Sequence, residues 1–287
     1  MVKTRKRRIA LLLSVIFLIS AVSLFCYARN EELTATEYRL CDGRIKSPIR
    51  LVMLSDLHGT FYGKDQGQII KMIEKHQPHA VLLAGDFFDE DNPFDAAKCL
   101  IEGLTARYPC YFVSGNHEYT ADFKKVRQFL ESAGVICLWG ENKILKIEGQ
   151  QILLGGVYDK NHHSYHALPQ KGDPEKVIKE LKEERKKYGE CYAILLCHRP
   201  DPTLFSDSGY DLILSGHNHG GQVSLPGIIN GLYAPEQGFF PKYAAGRYTL
   251  NSQSTLIVGR GLAVNNVPRL FNPPEIVCVE LLPAERS

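Results

Sequence analysis

Five short stretches of the chain carry side chains suited to holding metal ions. They are Ser55-Asp56-Leu57-His58, Gly85-Asp86, Gly115-Asn116-His117-Glu118, Cys197-His198-Arg199 and Gly216-His217-Asn218-His219. Carboxylates, imidazoles and an amide oxygen form a mixed oxygen and nitrogen set that fits manganese, iron or zinc. A pair of such ions roughly 3.5 to 4 Å apart makes a site for cleaving phosphoesters. Asp56 and Asp86 offset only part of the charge of two divalent cations, His58, His198, His217 and His219 bind neutral, and Asn116 adds no charge. With a bridging hydroxide the site keeps about +1, which suits an anionic phosphoryl group.

Each stretch follows an apolar run that reads as a buried strand: residues 50–55, 80–84, 110–114, 191–197 and 211–215. Helical spacing over 68–75, 96–104 and 123–133 alternates with the first three runs, implying right-handed crossovers and a sheet covered by helices. Loops at the carboxyl ends of such strands gather groups that are far apart in the chain. Glycines 85, 115 and 216 fit tight turns that leave room for the adjacent ligand. Residues 135–138, 143–147 and 151–157 read as short hairpin-like strands, 174–188 as a charged helix, and 255–258 and 276–281 as closing strands. Between them, residues 220–250 are rich in Gly, Pro and aromatics, with Leu232, Tyr233, Phe239, Phe240 and Tyr243 as a candidate lid.

The chain has 287 residues, 44% of them hydrophobic, which suits one sizeable domain with a real core. Its net charge of +2 hides an asymmetry, because Lys3, Arg5, Lys6, Arg7, Arg8 and Arg29 all lie in an acid-free leader. The remainder is net acidic, so specific nucleic-acid binding is not expected. Behind the basic cluster, Ile9 to Ala28 is uncharged and apolar. Twenty helical residues reach roughly 30 Å, enough to cross a bilayer. That run exceeds the typical secretory core of about 7 to 15 residues, so an anchor is expected in preference to a cleaved signal. The positive-inside rule then puts everything after Arg29 outside the cytoplasm. Eight cysteines without a C-x-x-C pair define neither a disulfide framework nor a zinc finger.

In their order, the five stretches resemble the calcineurin-like metallophosphoesterase family, whose pattern runs D-x-H, G-D, G-N-H-[ED], H and G-H-x-H; every element is present over residues 50–219. The N-terminal apolar segment, LCHRPD, GHNHGGQ and RLFNPPEI are similar to its exported, membrane-associated bacterial branch. The resemblance implies a layered α/β sandwich of two mixed β-sheets flanked by helices. It divides the chain into a membrane anchor or signal segment (1–28), a linker and lead-in segment (29–49) and a phosphoesterase domain (50–287).

The resemblance further implies that Asp56, His58 and His219 hold one metal, that Asn116, His198 and His217 hold a second, and that Asp86 bridges both. His117 is then the catalytic residue beside the substrate, with Glu118 either orienting it or purely structural, and Arg199 either touching substrate phosphate or serving the surface. The implied reaction is in-line attack of a metal-bridging hydroxide on a phosphodiester, pyrophosphate or phosphomonoester, with a lipid-linked or cell-envelope substrate favoured by the apolar N-terminal segment. The rival is a non-catalytic metal-binding scaffold on the same fold. A full ligand set together with His117 speaks for the enzyme.

Overall fold

The computed structural model describes residues 2–28, 31–91, 94–159, 174–225, 227–251, 254–264 and 267–284. Helix α1 (Val2–Ala28) precedes the folded domain. Its side chains between Leu12 and Phe25 are exposed, among them Phe17, Leu18 and Ile19. Among the described residues no helix is long and apolar enough to cross a membrane. The expected transmembrane helix thus finds no support among the described residues, whose α1 side chains between Leu12 and Phe25 lie exposed.

The domain is built on two six-stranded sheets. Strand β1 (Thr34–Asp42) leads into β2 (Ile49–Leu54); α2 (Gly67–His76) connects to β3 (Ala80–Leu83), α3 (Phe94–Thr105) to β4 (Cys110–Phe112), and α4 (Phe123–Ser132) to β5 (Ile136–Cys137). The second sheet begins with β6 (Glu141–Ile147) and β7 (Gln150–Val157) and continues through α5 (Pro174–Arg185), β8 (Tyr192–Cys197), α6 (Pro202–Phe205) and β9 (Leu212–Ser215). A small hairpin, β10 (Tyr233–Ala234) with β11 (Gly238–Phe239), precedes β12 (Gly246–Leu250) and β13 (Ser254–Val258), and β14 (Glu275–Pro283) returns to the first sheet. The sheet orders are β1-β14-β2-β3-β4-β5 and β12-β13-β9-β8-β7-β6.

Both sheets are mixed for a physical reason. Connections carrying a helix give parallel pairs, as in β2–β3–β4–β5 and β7–β8–β9, whereas the two-residue turn at Glu148 and Gly149 closes β6 on β7 antiparallel. Both turn residues have positive φ, as a tight hairpin requires. Residues 135–138 therefore do not join the hairpin with 143–147: α4 carries the chain over to a parallel β5 in the first sheet.

Three layers of core follow from strand alternation. Leu51, Met53 and Leu82 meet Leu154, Leu196 and Leu214 between the sheets. On the outer face of the first sheet, Val52 and Leu54 pack under Ile69 and Ile73 of α2, Leu100 and Leu104 of α3, and Val126 and Leu130 of α4. Leu153, Ala193 and Ile213 do the same beneath Val177, Ile178 and Leu181 of α5. The apolar positions recur at helical spacing, so each helix buries one stripe and leaves the other face in water.

Candidate metal centre

The parallel strands of both sheets end at one edge of the sandwich, and the five motif loops meet there. Asp56 follows β2, Asp86 follows β3, Asn116 and His117 follow β4, His198 follows β8, and His217 and His219 follow β9. The backbone stitches the loops together. Asp56 N–H donates to Gly85 O at 3.0 Å, and Gly216 N–H to His198 O at 2.9 Å. His217 N–H reaches the Asp56 carboxylate at 3.1 Å, and His117 N–H reaches Asp86 Oδ1 at 2.9 Å.

Close approach explains two of the glycines. A Cβ on Gly115 would stand 2.2 Å from Asp86 Oδ1, and one on Gly216 would stand 2.5 Å from Asp56 Oδ2. Asp56, His58, Asp86, His217 and His219 themselves have positive φ, a region that costs a side-chain-bearing residue of order 1–3 kcal/mol. Strain concentrated on these residues is the signature of a functional site held by its surroundings.

The side chains form groups whose ligand atoms lie within 4.8 Å of one another: Asp56 with His58 and His219, and Asp86 with His198 and His217. In the first, His219 Nε2 is 3.7 Å from Asp56 Oδ1. In the second, His198 Nε2 is 3.0 Å from Asp86 Oδ2 and 3.1 Å from His217 Nδ1. Asp86 also faces the first group, with Oδ2 3.7 Å from His58 Nε2. Ring orientation is set from behind: His198 Nδ1 meets Ala84 O at 2.8 Å, and His58 Nδ1 meets Asp89 Oδ2 at 2.8 Å. Each ring so anchored turns Nε2 towards the shared carboxylate, as metal-ligating histidines do.

Two further features fit cations. Asn116 Oδ1, His58 Nε2 and His219 Nδ1 are buried without a hydrogen-bond partner among the described residues, an arrangement that is expensive unless an ion or water completes it. Protonation also divides each group. Burial is the largest influence on His58 and His198 and opposes their charge, but the combined pull of Asp89, Asp86 and Asp56 on the first, and of Asp86, Asp56 and Asp159 on the second, raises both above the usual histidine range. Burial, reinforced by His198 and Arg199, drives His217 down to about 2; burial and the charge of His58 hold His219 well below its usual range. Burial pushes the Asp86 carboxyl up, yet His198, His58 and His117 together hold it far below the carboxylate range.

His117 lies at the rim with its side chain 41% exposed, edge-on to His58 at 4.7 Å between ring centres. Its Nδ1 is 4.0 Å from Asp89 Oδ2. Asp89, which motif reading passed over, joins His58 and His117 in a third group. Its only sequence signal is a carboxylate three residues after Asp86, inside an acidic run that reads equally as a solvated turn.

Glu118 does not orient His117. Fully buried, it accepts N–H bonds from Asp86, Phe87 and Phe88 on one loop and Gly115 on the other, at 2.6 to 3.2 Å. Burial, with the Asp86 charge next in importance, raises its carboxyl to about 7. Arg199 is held between Asp159 and Glu236, each at 2.5 Å, with Nη1 3.4 Å from His217 Nε2. A cavity of about 1290 Å³ opens beside it, walled by Ile178, Lys179, Leu204, Phe205, Lys242 and Tyr243 among others. Of the candidate lid, Phe239 and Phe240 are exposed at 71% and 65%. The sequence also offers His162, His163 and His166, close after Asp159, as an exposed polar loop or a lining of the pocket mouth, and these three lie outside the described residues.

A two-sheet sandwich that gathers aspartate and histidine loops at one edge defines a metal-dependent phosphoesterase architecture. The family profile described as calcineurin-like phosphoesterase matches residues 49–221, and the chain belongs to that family as a hydrolase of phosphoric ester bonds. It is 27% identical to the uncharacterized protein YpbG of Bacillus subtilis (strain 168) over 96% of either chain. It is 30% identical to the bovine (Bos taurus) "transmembrane protein with metallophosphoesterase domain", covering 96% of this chain and 63% of that one. Among solved structures, the NAD nucleotidase NadN of Haemophilus influenzae aligns with a TM-score of 0.53 at 15% identity, over 75% of this chain and 46% of that one, a likeness of fold.

Proposed function

We propose that this chain hydrolyses phosphoesters at a dinuclear centre in which Asp56, His58 and His219 hold one divalent ion, Asn116, His198 and His217 hold the other, and Asp86 serves both. Manganese, iron and zinc all suit the donor set. The observation that carries this reading is the pair of carboxylate–imidazole groups facing each other across Asp86, with buried ligand atoms left unpaired. When bound, the ions acidify a water for in-line attack on phosphorus and draw charge from the phosphoryl oxygens.

The chain's own residues do the rest. His117, with Nδ1 turned towards Asp89, presents Nε2 to the leaving oxygen and delivers its proton there. Arg199, already beside His217, supplies a guanidinium for a phosphoryl oxygen while Asp159 and Glu236 fix its direction. The adjoining cavity takes the leaving group of a phosphodiester, pyrophosphate or phosphomonoester. Residues 50–287 form the catalytic domain in this reading. The exposed apolar side chains of α1 support attachment to a membrane, and the basic residues ahead of them support a domain outside the cytoplasm, near a lipid-linked or envelope substrate. Membrane fractionation of cells expressing the chain with and without residues 1–28 checks this attachment, which predicts release on deletion.

The test is turnover of bis-p-nitrophenyl phosphate by purified protein loaded with Mn²⁺. Metal-dependent hydrolysis is expected, and His117→Asn should lower kcat by about 10² to 10⁴ with metal content unchanged. Two bound ions without turnover would favour the scaffold instead.

A further inference from the structure

We infer that residues 269–272, beyond the family-matched region, complete the metal centre, with Arg269 and Asn272 as positioning residues for the ion at Asp56, His58 and His219. The inference rests on the dinuclear reading above. Arg269 is only 2% exposed, yet among the described residues it forms no ion pair with a carboxylate. A buried charge without such a partner is costly, so its contacts have to explain its place. Its Nε donates to Ala263 O at 2.7 Å and its Nη1 to Arg260 O at 2.8 Å, gripping a strap of chain just after β13.

That strap lies on Asp56. Gly261, at φ +70°, approaches so closely that a Cβ there would stand 2.7 Å from Asp56 Cβ. Leu262 N–H donates to Ser55 O at 3.0 Å and to Asp56 O at 3.2 Å, and Tyr62 Oη donates to Leu262 O. Arg269 therefore holds the backbone that keeps Asp56 in its left-handed conformation.

Asn272 acts on the other ligand. It is fully buried, and its Nδ2 donates to His219 O at 2.7 Å. Gly220 makes room for it, since a Cβ at that position would meet Asn272 Oδ1 at 2.0 Å. Between these two residues, Leu270 exchanges backbone hydrogen bonds with Gln222 and Ser224, fastening the segment to the tail of the His217–His219 loop. One short segment thus fixes the backbones of two ligands in the same group.

Titration of the full-length protein with Mn²⁺, followed by calorimetry and by electron paramagnetic resonance, separates the two ions. Wild-type protein should bind two and show spin-coupled manganese. Asn272→Asp keeps the side chain's size but removes the donor to His219 O. It should leave one ion at wild-type affinity and weaken the other about 10- to 100-fold, converting the coupled spectrum to a single-ion signal. Arg269→Gln should do the same and Arg269→Lys less so; if the glutamine variant does not fold, Asn272→Asp decides alone. Two ions at wild-type affinity in Asn272→Asp would overturn this inference and leave the dinuclear reading intact, whereas wild-type protein unable to bind a pair would overturn the dinuclear reading first.

Discussion

Asp89 sits between two imidazoles that do different work, accepting from His58 at 2.8 Å and facing His117 at 4.0 Å. Replacing it with Ala leaves the His58 ring free to turn its Nε2 away, so Mn²⁺ affinity should fall about 10- to 100-fold, measured by titration. Unchanged affinity would show that the carboxylate does not orient that ring. The side chains in the two carboxylate–imidazole groups were legible as residue types because each stands next to a glycine or at a fixed offset after an apolar run. Asp89, Arg269 and Asn272 were not legible as site residues. They act through a ring nitrogen or a backbone carbonyl, and such contacts leave no spacing pattern in the chain.

Loops rather than strands set the precision of this centre, and Glu118 joins two of them. Four backbone N–H groups from the β3 and β4 loops converge on its buried carboxylate. Glu118→Ala strands those donors, and with a buried unpaired donor costing about 1–3 kcal/mol the domain should lose roughly 3 kcal/mol or more. Urea unfolding of the metal-free protein would measure this; a loss below about 1 kcal/mol would mean the loops hold without it. Most buried strands could be read from the sequence because a strand covered on both faces is a continuous apolar run. Strand β1 was hidden inside the lead-in segment: it is an edge strand whose inward positions, Thr34, Thr36, Tyr38 and Leu40, alternate with exposed residues, two of them threonines. The parallel pairing of β5 was equally hidden, because partner choice is made by the crossover helix and not by the strand's own composition.

Ligands on both sheets mean that bound cations would pin one half of the sandwich to the other. Asp56, Asp86 and Asn116 follow strands of the first sheet, and His198, His217 and His219 follow strands of the second. An ion that binds only the folded state adds about 2.7 kcal/mol at a hundredfold excess over its Kd. Mn²⁺ should therefore raise the melting temperature in calorimetry and EDTA should reverse it; a melting temperature indifferent to both would argue against ions bridging the sheets. Alternating strand and helix patterns pointed to a sheet covered by helices and the family resemblance to a second sheet, whereas the strap over Asp56 depends on loop packing that no local pattern records.

The position of β14 between β1 and β2 sets an order on the making of the molecule. Asp56 comes first in chain order among the proposed ligands, yet the strand beside its own and the segment that steadies its turn come much later. A growing chain therefore makes that aspartate well before the residues that hold its turn in place.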